Sequence, residues 1–528
     1  MHSNHPMTFN LADLFERVVD TAPDRLALVA GDRRLTYAQL DERANRVGHS
    51  LLDGGAVAGA HVGINAHNRA EWVEAMIGCY KARLVPVNVN YRYVVDELRY
   101  LFDNADLVAL FFESQFGPRI APVLADLHQL RQLVRIEDGT DPAADGIAAD
   151  DYESRLASAS PDRDFGPRSA DDRYILYTGG TTGMPKGVLW RAEDIFFGAM
   201  GGGNYGGPGI KTPEAIARSV AANPAVTLAL APLMHGNAQW TMFNTLFGGG
   251  TVVLSTDGRF DPKAIWELIE AEAVNTVSLV GDAMARPLVD ELANRSVPPS
   301  LFALVSGGAI LSPTIKTQMH ELMPNLLVLD SFGASETGAN GVVETTESGP
   351  RFHMQDSTTV IGEDRRPVAP GETGWLARRG HVPVGYYKDE TKTAATFVEV
   401  DGQRWAIPGD LAVLELDGTI TVLGRGSQSI NSGGEKIFPE EVEAALKSHA
   451  MVFDALVVGV PDARWGEKVA AVVAFRPGTA ATLEELVEHC RTVIADYKVP
   501  RALFAVDEIA RQPSGKPDYR WAKGIATG

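Results

Sequence analysis

The middle of the chain alternates helix and strand signals, and this alternation limits the fold more than any other feature. Two helix starts pair a capping residue with a proline, Asp261-Pro262 and Ser312-Pro313. The apolar runs that predict buried strands lie at residues 274–280, 301–305 and 326–329. Strands that alternate with helices of this length pair in parallel. In such sheets ligands bind beyond the carboxyl ends of the strands, where the polar and glycine-rich clusters of this chain fall.

The chain of 528 residues is too long for one ordinary core, so we expect at least two domains. The signals after residue 424 are a helix over 439–447, strands over 455–460 and 469–475, and a helix from Thr482 with a capping box to Glu485. We predict an α/β protein whose large N-terminal domain, residues 1–424, has mixed, largely parallel sheets flanked by helices. Residues 425–528 are predicted to form a small, mobile α+β domain.

The charge balance and the cysteines exclude several classes of protein. The net charge of −20 argues against nonspecific nucleic-acid binding, which needs Lys and Arg to neutralise phosphates. Cys79 and Cys490 have no metal-ligand or C-x-x-C spacing and are interpreted as ordinary thiols of a reducing compartment. The first ten residues are not a signal peptide, and no apolar stretch is long enough to span a bilayer. These features predict a cytoplasmic enzyme without a transmembrane segment.

The most informative motif is a glycine- and threonine-rich segment at residues 178–187. A strand-like run at 174–177 leads into Thr178-Gly179-Gly180-Thr181-Thr182-Gly183-Met184-Pro185-Lys186-Gly187. Glycines let backbone N–H groups approach phosphate oxygens, the threonine hydroxyls add donors, and Lys186 supplies charge. A plain glycine turn between strands does not account for three threonines and a lysine. The segment therefore predicts a phosphate loop.

Two common nucleotide-binding motifs do not fit this loop. A Walker loop requires a glycine before its lysine, whereas here Gly187 follows Lys186. The loop also lacks the G-x-G-x-x-G spacing of a dinucleotide site. The predicted phosphate loop therefore belongs to neither of these two motifs.

The loop resembles the signature of the adenylate-forming superfamily, which includes acyl-CoA synthetases, luciferases and the adenylation domains of peptide synthetases. The resemblance extends over nearly the whole chain, and further motifs follow in the order that the family has. The stretches 177–190, 281–287 and 431–449 resemble actinobacterial acyl-CoA synthetases that activate fatty acids or sterol side-chain carboxylates.

The resemblance implies a nucleotide site in the large domain. It implies that Glu336 and Thr181 hold Mg²⁺. It also implies that the hydroxyl of Ser335 or Thr337 contacts a phosphate. The other residues implied to bind nucleotide are Thr178, Gly179, Gly180, Thr181, Thr182, Gly183, Lys186, Gly307, Gly308, Ala309, Ser331, Phe332, Gly333, Asp410 and Arg425. Phe332 stands where the family commonly has tyrosine, which keeps stacking on adenine but removes a hydroxyl. Asp410, with Arg425, would hold the ribose hydroxyls, because an ionised carboxylate accepts from a diol.

Further residues are implied for the acid, for coenzyme A and for catalysis. His235 would shape the acyl pocket, and Gln239, Trp240 and Asp282 are weaker candidates for its lining. In the small domain, Gly434 and Lys436 belong to the element that would face the pantetheine arm of CoA. The hinge position maps to Ser427. Lys516 matches the catalytic lysine, whose charge suits the substrate carboxylate and the α-phosphate as negative charge develops.

These features together predict an enzyme that uses ATP and Mg²⁺ to activate a small-molecule carboxylic acid as an acyl adenylate and passes the acyl group to CoA. A carrier protein as the acceptor is the main alternative, luciferase-like oxygenation has no supporting feature, and a catalytically dead nucleotide-binding regulator is the alternative of a different class. The six glycines in residues 201–209 favour a surface loop over an active-site lid.

Overall fold

The computed structural model describes residues 7–180, 183–204, 207–220, 224–292, 295–309, 311–346, 349–354, 356–425, 430–432, 435–462, 466–494, 496–512 and 517–528. Five residues singled out in the sequence, Thr181, Thr182, Ser427, Gly434 and Lys516, lie outside these ranges. The side chains of Arg425 and Lys436 also lie outside the description.

The α-helices of the described residues are α1 (Leu11–Thr21), α2 (Tyr37–Asp53), α3 (Ala70–Lys81), α4 (Val95–Asn104), α5 (Gly117–Leu124), α6 (Tyr152–Ser158), α7 (Ala192–Gly198), α8 (Gly236–Phe247), α9 (Pro262–Ala271), α10 (Gly281–Leu292), α11 (Pro313–Leu322), α12 (Glu390–Thr396), α13 (Pro439–Lys447), α14 (Leu483–Arg491) and α15 (Tyr519–Thr527).

The first strands are β1 (Leu26–Ala30), β2 (Arg33–Thr36), β3 (His61–Asn65), β4 (Val85–Asn88), β5 (Leu107–Glu113), β6 (Gln132–Ile136), β7 (Asp150–Asp151), β8 (Arg173–Gly180), β9 (Gly183–Arg191), β10 (Val226–Ala229), β11 (Thr251–Leu254), β12 (Thr276–Leu279), β13 (Ala303–Gly307) and β14 (Leu327–Ala334). The later strands are β15 (Gly338–Thr346), β16 (Gly349–His353), β17 (Thr358–Ile361), β18 (Thr373–Arg379), β19 (Gly385–Tyr386), β20 (Phe397–Val400), β21 (Gln403–Ala406), β22 (Asp410–Leu414), β23 (Thr419–Arg425), β24 (Ile430–Ser432), β25 (Glu435–Ile437), β26 (Val452–Asp462), β27 (Gly466–Phe475) and β28 (Ala502–Val506).

The centre of the large domain is a parallel sheet, as the alternation of helix and strand signals predicts. Strands β1, β11, β10, β12, β13 and β14 are neighbours in that order and pair in parallel. A second parallel sheet contains β4, β3, β5, β6 and β7. The predicted α/β class with mixed, largely parallel sheets is confirmed.

Beyond β14 the sheet becomes antiparallel. Strand β15 turns back on β14, and the order continues through β16, β23, β22, β18, β21 and β20. A separate three-stranded antiparallel sheet has the order β19, β9, β8. This small sheet carries the glycine- and threonine-rich segment.

The helix starts that the sequence predicts are present because their capping side chains find backbone donors. The Asp261 carboxylate accepts from the N–H groups of Lys263 and Ala264, and Pro262 takes the first position of α9. The Ser312 hydroxyl accepts from Ile315 N–H at the start of α11. Each cap satisfies donors that the first helical turn leaves unpaired.

The smaller C-terminal domain contains the antiparallel strands β25, β24, β27 and β26, with β28 added in parallel to β27. Its core is rich in valine and alanine from β26 and β27, and helices α13 and α14 pack on it. Thr482 and Glu485 form the predicted capping box of α14. Strand β26 begins three residues earlier than its apolar run indicates.

Among the described residues, none of the helices combines the length and the apolar composition needed to traverse a bilayer. Cys79 and Cys490 are both buried free thiols.

Candidate functional site

Residues 178–180 end strand β8, and residues 183–187 begin strand β9, which pairs with it in antiparallel. Thr178 lies opposite Lys186 in this pair of strands, the phosphate hairpin. A Cβ at Gly187 would come within 2.8 Å of the Ile175 side chain, so the two arms approach closely because this residue has none. The described parts of the loop therefore lie on two antiparallel strands, unlike a Walker loop, which joins a strand to a helix.

The charge of Lys186 is held at the edge of this hairpin. Its ammonium lies 2.6 Å from Asp389 Oδ2, and both side chains are partly exposed. Asp389 also accepts the backbone N–H of Lys392 at the start of α12. The hydrogen bond from Lys186 lowers the pKa of the Asp389 carboxyl. An incoming phosphate would compete with Asp389 for a cation that is already in place.

Glu336 is oriented from the same small sheet. It lies in the turn between β14 and β15, and 8% of the residue is exposed. The Tyr386 hydroxyl donates a hydrogen bond of 2.8 Å to Glu336 Oε1. Tyr386 belongs to β19, where it pairs with Val188 of the hairpin's return arm. The Glu336 carboxylate and the Lys186 ammonium are thus held by neighbouring strands.

A second contact joins the hairpin to the turn that carries Glu336. Trp190, fully buried on β9, donates from Nε1 to the backbone oxygen of Ser335 at 3.1 Å. The turn is also tight at Gly338, where a Cβ would meet the Gly198 oxygen at 2.3 Å. The phosphate hairpin and the acidic turn form one packed unit.

The other residues of the segment 331–337 have defined surroundings. The Phe332 ring stacks on Phe352 with a centroid separation of 5.8 Å and an interplanar angle of 15°. Thr337 is buried, and its hydroxyl accepts a hydrogen bond of 2.9 Å from Asn340 Nδ2. Ser331, Gly333 and Ser335 are half-buried on the same strand and turn. Of the two hydroxyls considered for phosphate contact, that of Ser335 is the more accessible.

Gly307 is the last residue of β13, and Gly308 and Ala309 follow it at the carboxyl end of the parallel sheet. Asn237 Nδ2 donates to the Gly307 oxygen at 2.9 Å and ties this turn to helix α8. Gly308 has a φ of +88°, a backbone conformation that favours glycine. The three residues form a backbone wall at the end of the strand, and their place beside the adenine stays a prediction.

Asp410 and Arg425 are brought together by strand pairing. The two residues are direct partners in the antiparallel register of β22 and β23, although they are far apart in sequence. Asp410 is buried. The strand register thus places the two residues that are predicted to bind the ribose on neighbouring strands.

Helix α8 begins after His235 and carries two of the predicted pocket residues. Gln239 is buried, and its amide accepts from the Tyr174 hydroxyl at 2.6 Å and donates to the Leu233 oxygen at 2.9 Å. Trp240 Nε1 donates to the same Tyr174 hydroxyl at 3.2 Å. In this structure both side chains support the strand that enters the phosphate hairpin.

Asn88, which the sequence reasoning missed, fixes the position of two site segments. Its amide donates to the backbone oxygens of Tyr177 and Met234, at 2.8 and 2.7 Å, and accepts from Tyr177 N–H at 2.7 Å. Tyr177 precedes the phosphate loop and Met234 precedes His235. Asp389, Tyr386 and Asn88 gave no local signal, because each acts through a partner distant in sequence.

Asp282 lies behind the backbone wall. Its Oδ1 atom accepts the N–H of Ser312 at 2.7 Å, and the residue is buried. This bond holds the end of the turn that begins at Gly307. Asp282 therefore supports the wall, whereas the sequence analysis considers it for the lining of the acyl pocket.

In the small domain, the loop that contains the predicted catalytic lysine is bracketed by an antiparallel bridge between Arg511 and Pro517. Lys436 is on β25 beside Gly434, in the element predicted to face CoA. Glu440, at the start of α13, is half-buried, and the desolvation of its carboxyl together with repulsion from Glu443 and Asp410 raises its pKa to about 8. The small domain thus places an acidic side chain near the predicted ribose site.

Comparison with protein families gives two matches. A family model described as AMP-binding enzyme matches residues 15–387, and one described as AMP-binding enzyme C-terminal domain matches residues 441–516.

Two curated relatives match the chain over nearly its whole length at 50% identity. One is the 3-oxocholest-4-en-26-oate–CoA ligase of Rhodococcus rhodochrous, with 98% of this chain and 96% of that protein covered. The other is the medium/long-chain-fatty-acid–CoA/3-oxocholest-4-en-26-oate–CoA ligase of Mycolicibacterium smegmatis, with 98% and 97% covered. Among solved structures, an anthranilate CoA ligase in complex with anthranoyl-AMP has a TM-score of 0.86 at 23% identity, with 99% of each chain covered. This likeness shows a common fold.

Proposed function

The chain belongs to the AMP-binding enzyme family, and from this premise we propose that it is an ATP-dependent acid–thiol ligase. It converts a medium/long-chain fatty acid or a sterol side-chain carboxylate to its acyl-CoA through an acyl adenylate and releases AMP and pyrophosphate. The names of the two relatives described above, both CoA ligases, support CoA as the acceptor. The cytoplasm is the proposed location.

One observation carries the adenylation chemistry. Strand β19 brings Tyr386 to Glu336, and Asp389, three residues later, to Lys186. A buried carboxylate and a cation are thereby held beside one glycine-rich hairpin. Groups held in place in advance stabilise a phosphoryl transition state without reorganisation when the charge develops.

In the first half-reaction, a carboxylate oxygen of the acid attacks the α-phosphorus of ATP and the bond to pyrophosphate breaks. We assign the β- and γ-phosphates to the hairpin backbone and Lys186, and the ribose to Asp410 and Arg425. Lys516 would stabilise the negative charge shared by the carboxylate and the α-phosphate.

Glu336 suits Mg²⁺, because its ionised oxygens are hard ligands and the bond from Tyr386 fixes their direction. When bound, the cation would neutralise phosphate charge during the displacement. Glu336, with Thr181, is the residue that we assign to hold it.

In the second half-reaction, the CoA thiol, as its thiolate, attacks the acyl carbon of the mixed anhydride, and AMP leaves with the former carboxylate oxygen. We assign the approach of the pantetheine arm to Gly434 and Lys436. Rotation of the small domain about Ser427 would exchange the Lys516 loop for this element between the two steps.

We propose the acid substrate as a chemical class. We propose that it binds beside helix α8. His235 precedes that helix at the carboxyl edge of the parallel sheet, next to the Met234 oxygen that Asn88 holds. A long acyl chain and a steroid both require an apolar cleft, and we place it beside His235.

A panel of acids tests this proposal. Purified protein is given ATP, Mg²⁺ and CoA with fatty acids of different lengths or with 3-oxocholest-4-en-26-oate, and AMP and thioester are quantified together. We expect equal amounts of AMP and thioester with at least one acid and neither product without acid. AMP formation with transfer only to a carrier protein would refute CoA as the acceptor. ATP binding without AMP formation with any acid would indicate a regulator and refute the proposal.

A further inference from the structure

The small domain contacts the large domain through helix α10. Arg476, just after β27, extends its guanidinium to within 3.7 Å of Asp290 Oδ2. The Arg286 guanidinium lies over the Phe453 ring, 5.6 Å from its centroid. Asp290 and Arg286 are one turn apart on α10, so one face of this helix receives two elements of the small domain.

Arg286 is buried at this contact without a close ionic partner in the described residues. Its residue exposure is 2%, and its Nη2 atom lies 3.8 Å from Asp282 Oδ2, which is beyond hydrogen-bond distance. Neither of these two atoms has a hydrogen-bond partner in the described part of the chain. Asp454 of the small domain is a further acidic neighbour. Arg286 thus lies at the border of the domains, close to the Phe453 ring of the small domain and the Asp282 carboxylate of the large domain.

From Arg286 the contacts continue to the backbone wall of the nucleotide site. Asp282 accepts the N–H of Ser312 and so holds the turn that begins at Gly307. Gly281, the first residue of α10, donates its N–H to Ser306 Oγ at 3.1 Å. Helix α10 is thus attached at its start to the strand end that forms the wall.

On the other side, the contacts continue to the loop of the predicted catalytic lysine. Asp454 forms an ion pair with Arg511, and Arg511 is bridged to Pro517. These two residues bracket the loop that contains Lys516. The order runs from the wall through Asp282 to Arg286, which lies over the Phe453 ring, and Asp454, the next residue, pairs with Arg511 at the base of this loop.

We infer that Arg286 is a positioning residue for the first half-reaction, which couples the docked small domain to the nucleotide wall. The inference rests on the proposed two-step function and adds a specific contact that favours the arrangement for acyl-adenylate formation. The planar guanidinium of Arg286 can face the Phe453 ring and remain near the carboxylates of Asp282 and Asp454. A lysine ammonium cannot do this equally well. The exposed pair of Asp290 and Arg476 holds the same face.

The first test separates the two half-reactions in Arg286→Lys and Phe453→Leu. Acid-dependent exchange of pyrophosphate into ATP measures the first, and thioester formation from supplied acyl adenylate and CoA measures the second. We expect the exchange rate to fall on the order of tenfold in both variants, as loss of a desolvated cation–π contact implies. Thioester formation should stay within about twofold, and the melting temperature of each variant shows whether it is folded. Equal loss in both half-reactions would indicate a merely structural role and overturn the inference.

The second test uses charge reversal at the exposed pair, where a folding defect is not expected. Asp290→Arg and Arg476→Asp should each slow pyrophosphate exchange about fivefold, and the double variant should recover most of the wild-type rate. Selective loss of thioester formation would assign the contact to the other domain arrangement, and loss without recovery would refute docking through this pair. A wild-type protein that forms no acyl adenylate would refute the proposed function itself, before any variant is compared.

Discussion

The large and the small domain differ in how their carboxylates are paired with cations. In the large domain, Lys81 is fully buried between Glu16, at 2.5 Å, and Asp41, at 2.7 Å, and Arg168 lies 2.8 Å from Glu16. Burial alone would raise the pKa of Glu16, but the charges of Lys81 and Arg168 lower it to about 2. Every carboxylate of this cluster faces a cation.

In the small domain, the half-buried Glu440 and the buried Glu443 lie near each other on helix α13. Burial raises the pKa of Glu440 to about 8, and repulsion from Glu443 and from Asp410 of the large domain adds to this effect. Burial also raises the pKa of Glu443. Glu440 Oε2 accepts no hydrogen bond in the described residues. Here the carboxyl of Glu440 in the small domain and that of Asp410 in the large domain repel each other across the border between the domains.

The difference shows where the molecule is fixed and where its arrangement can change. The paired cluster joins helices α1, α2 and α3 to the segment before β8. This segment leads into the first strand of the phosphate hairpin. At the domain border, Glu440 and Arg286 are left with incompletely matched charges. An incompletely matched contact is more easily exchanged for another, as the two half-reactions of the proposed function require.

The largest effect that would test this comparison is expected from Lys81→Met. Removing the cation leaves Glu16 and Asp41 buried beside each other, and the free energy of unfolding should fall by about 3–5 kcal/mol. Arg34→Met is the matched control, because Arg34 is half-exposed and pairs with Glu272 at the surface. Its effect should stay below about 1 kcal/mol in the same urea titration. Similar losses in the two variants would remove the distinction between a paired buried cluster and surface pairs.

A smaller effect, of opposite sign, is expected from Glu440→Gln. The folded-state pKa of Glu440, about 8, lies above the ordinary value of 4.5, so the folded protein retains a proton that the unfolded chain has lost. Stability should therefore fall as the pH rises from about 4.5 to 8. Glutamine stays neutral, and the variant should be more stable than wild type at pH 8 by roughly 2 kcal/mol.

Amide hydrogen exchange in α13, measured at pH 6 and pH 8, reports the pH-dependent loss of stability of the small domain separately from that of the large domain. Glu441→Gln serves as control, because Glu441 is exposed and paired with Lys498. Wild-type protection in α13 that does not decrease between pH 6 and pH 8 would contradict the uncompensated state of Glu440.

The sequence predicts those parts of the fold that depend on neighbours along the chain. The caps of α9, α11 and α14 and the parallel pairing follow from capping residues and apolar periods that lie within one element. The phosphate loop is predicted for the same reason, because the residues that would bind phosphate are contiguous in the sequence.

What could not be predicted depends on partners far apart in sequence. Lys186 meets Asp389 across 203 residues and Glu336 meets Tyr386 across 50, and no local period encodes such pairs. Asp282 stays a prediction for the acyl pocket, and its hydrogen bond from Ser312 N–H is a further contact that no local pattern indicates. The domain boundary and the roles of the site residues remain predictions.

The central claim is that the large domain holds the nucleotide while one lysine of the small domain serves only the first chemical step. The most direct measurement compares both half-reactions in Lys516→Ala. Acid-dependent pyrophosphate exchange should fall on the order of 10²-fold or more, as for the loss of one preorganised charge. Conversion of supplied acyl adenylate and CoA to thioester should proceed at a near-normal rate. Equal damage to both half-reactions, or an unchanged exchange rate, would contradict the claim.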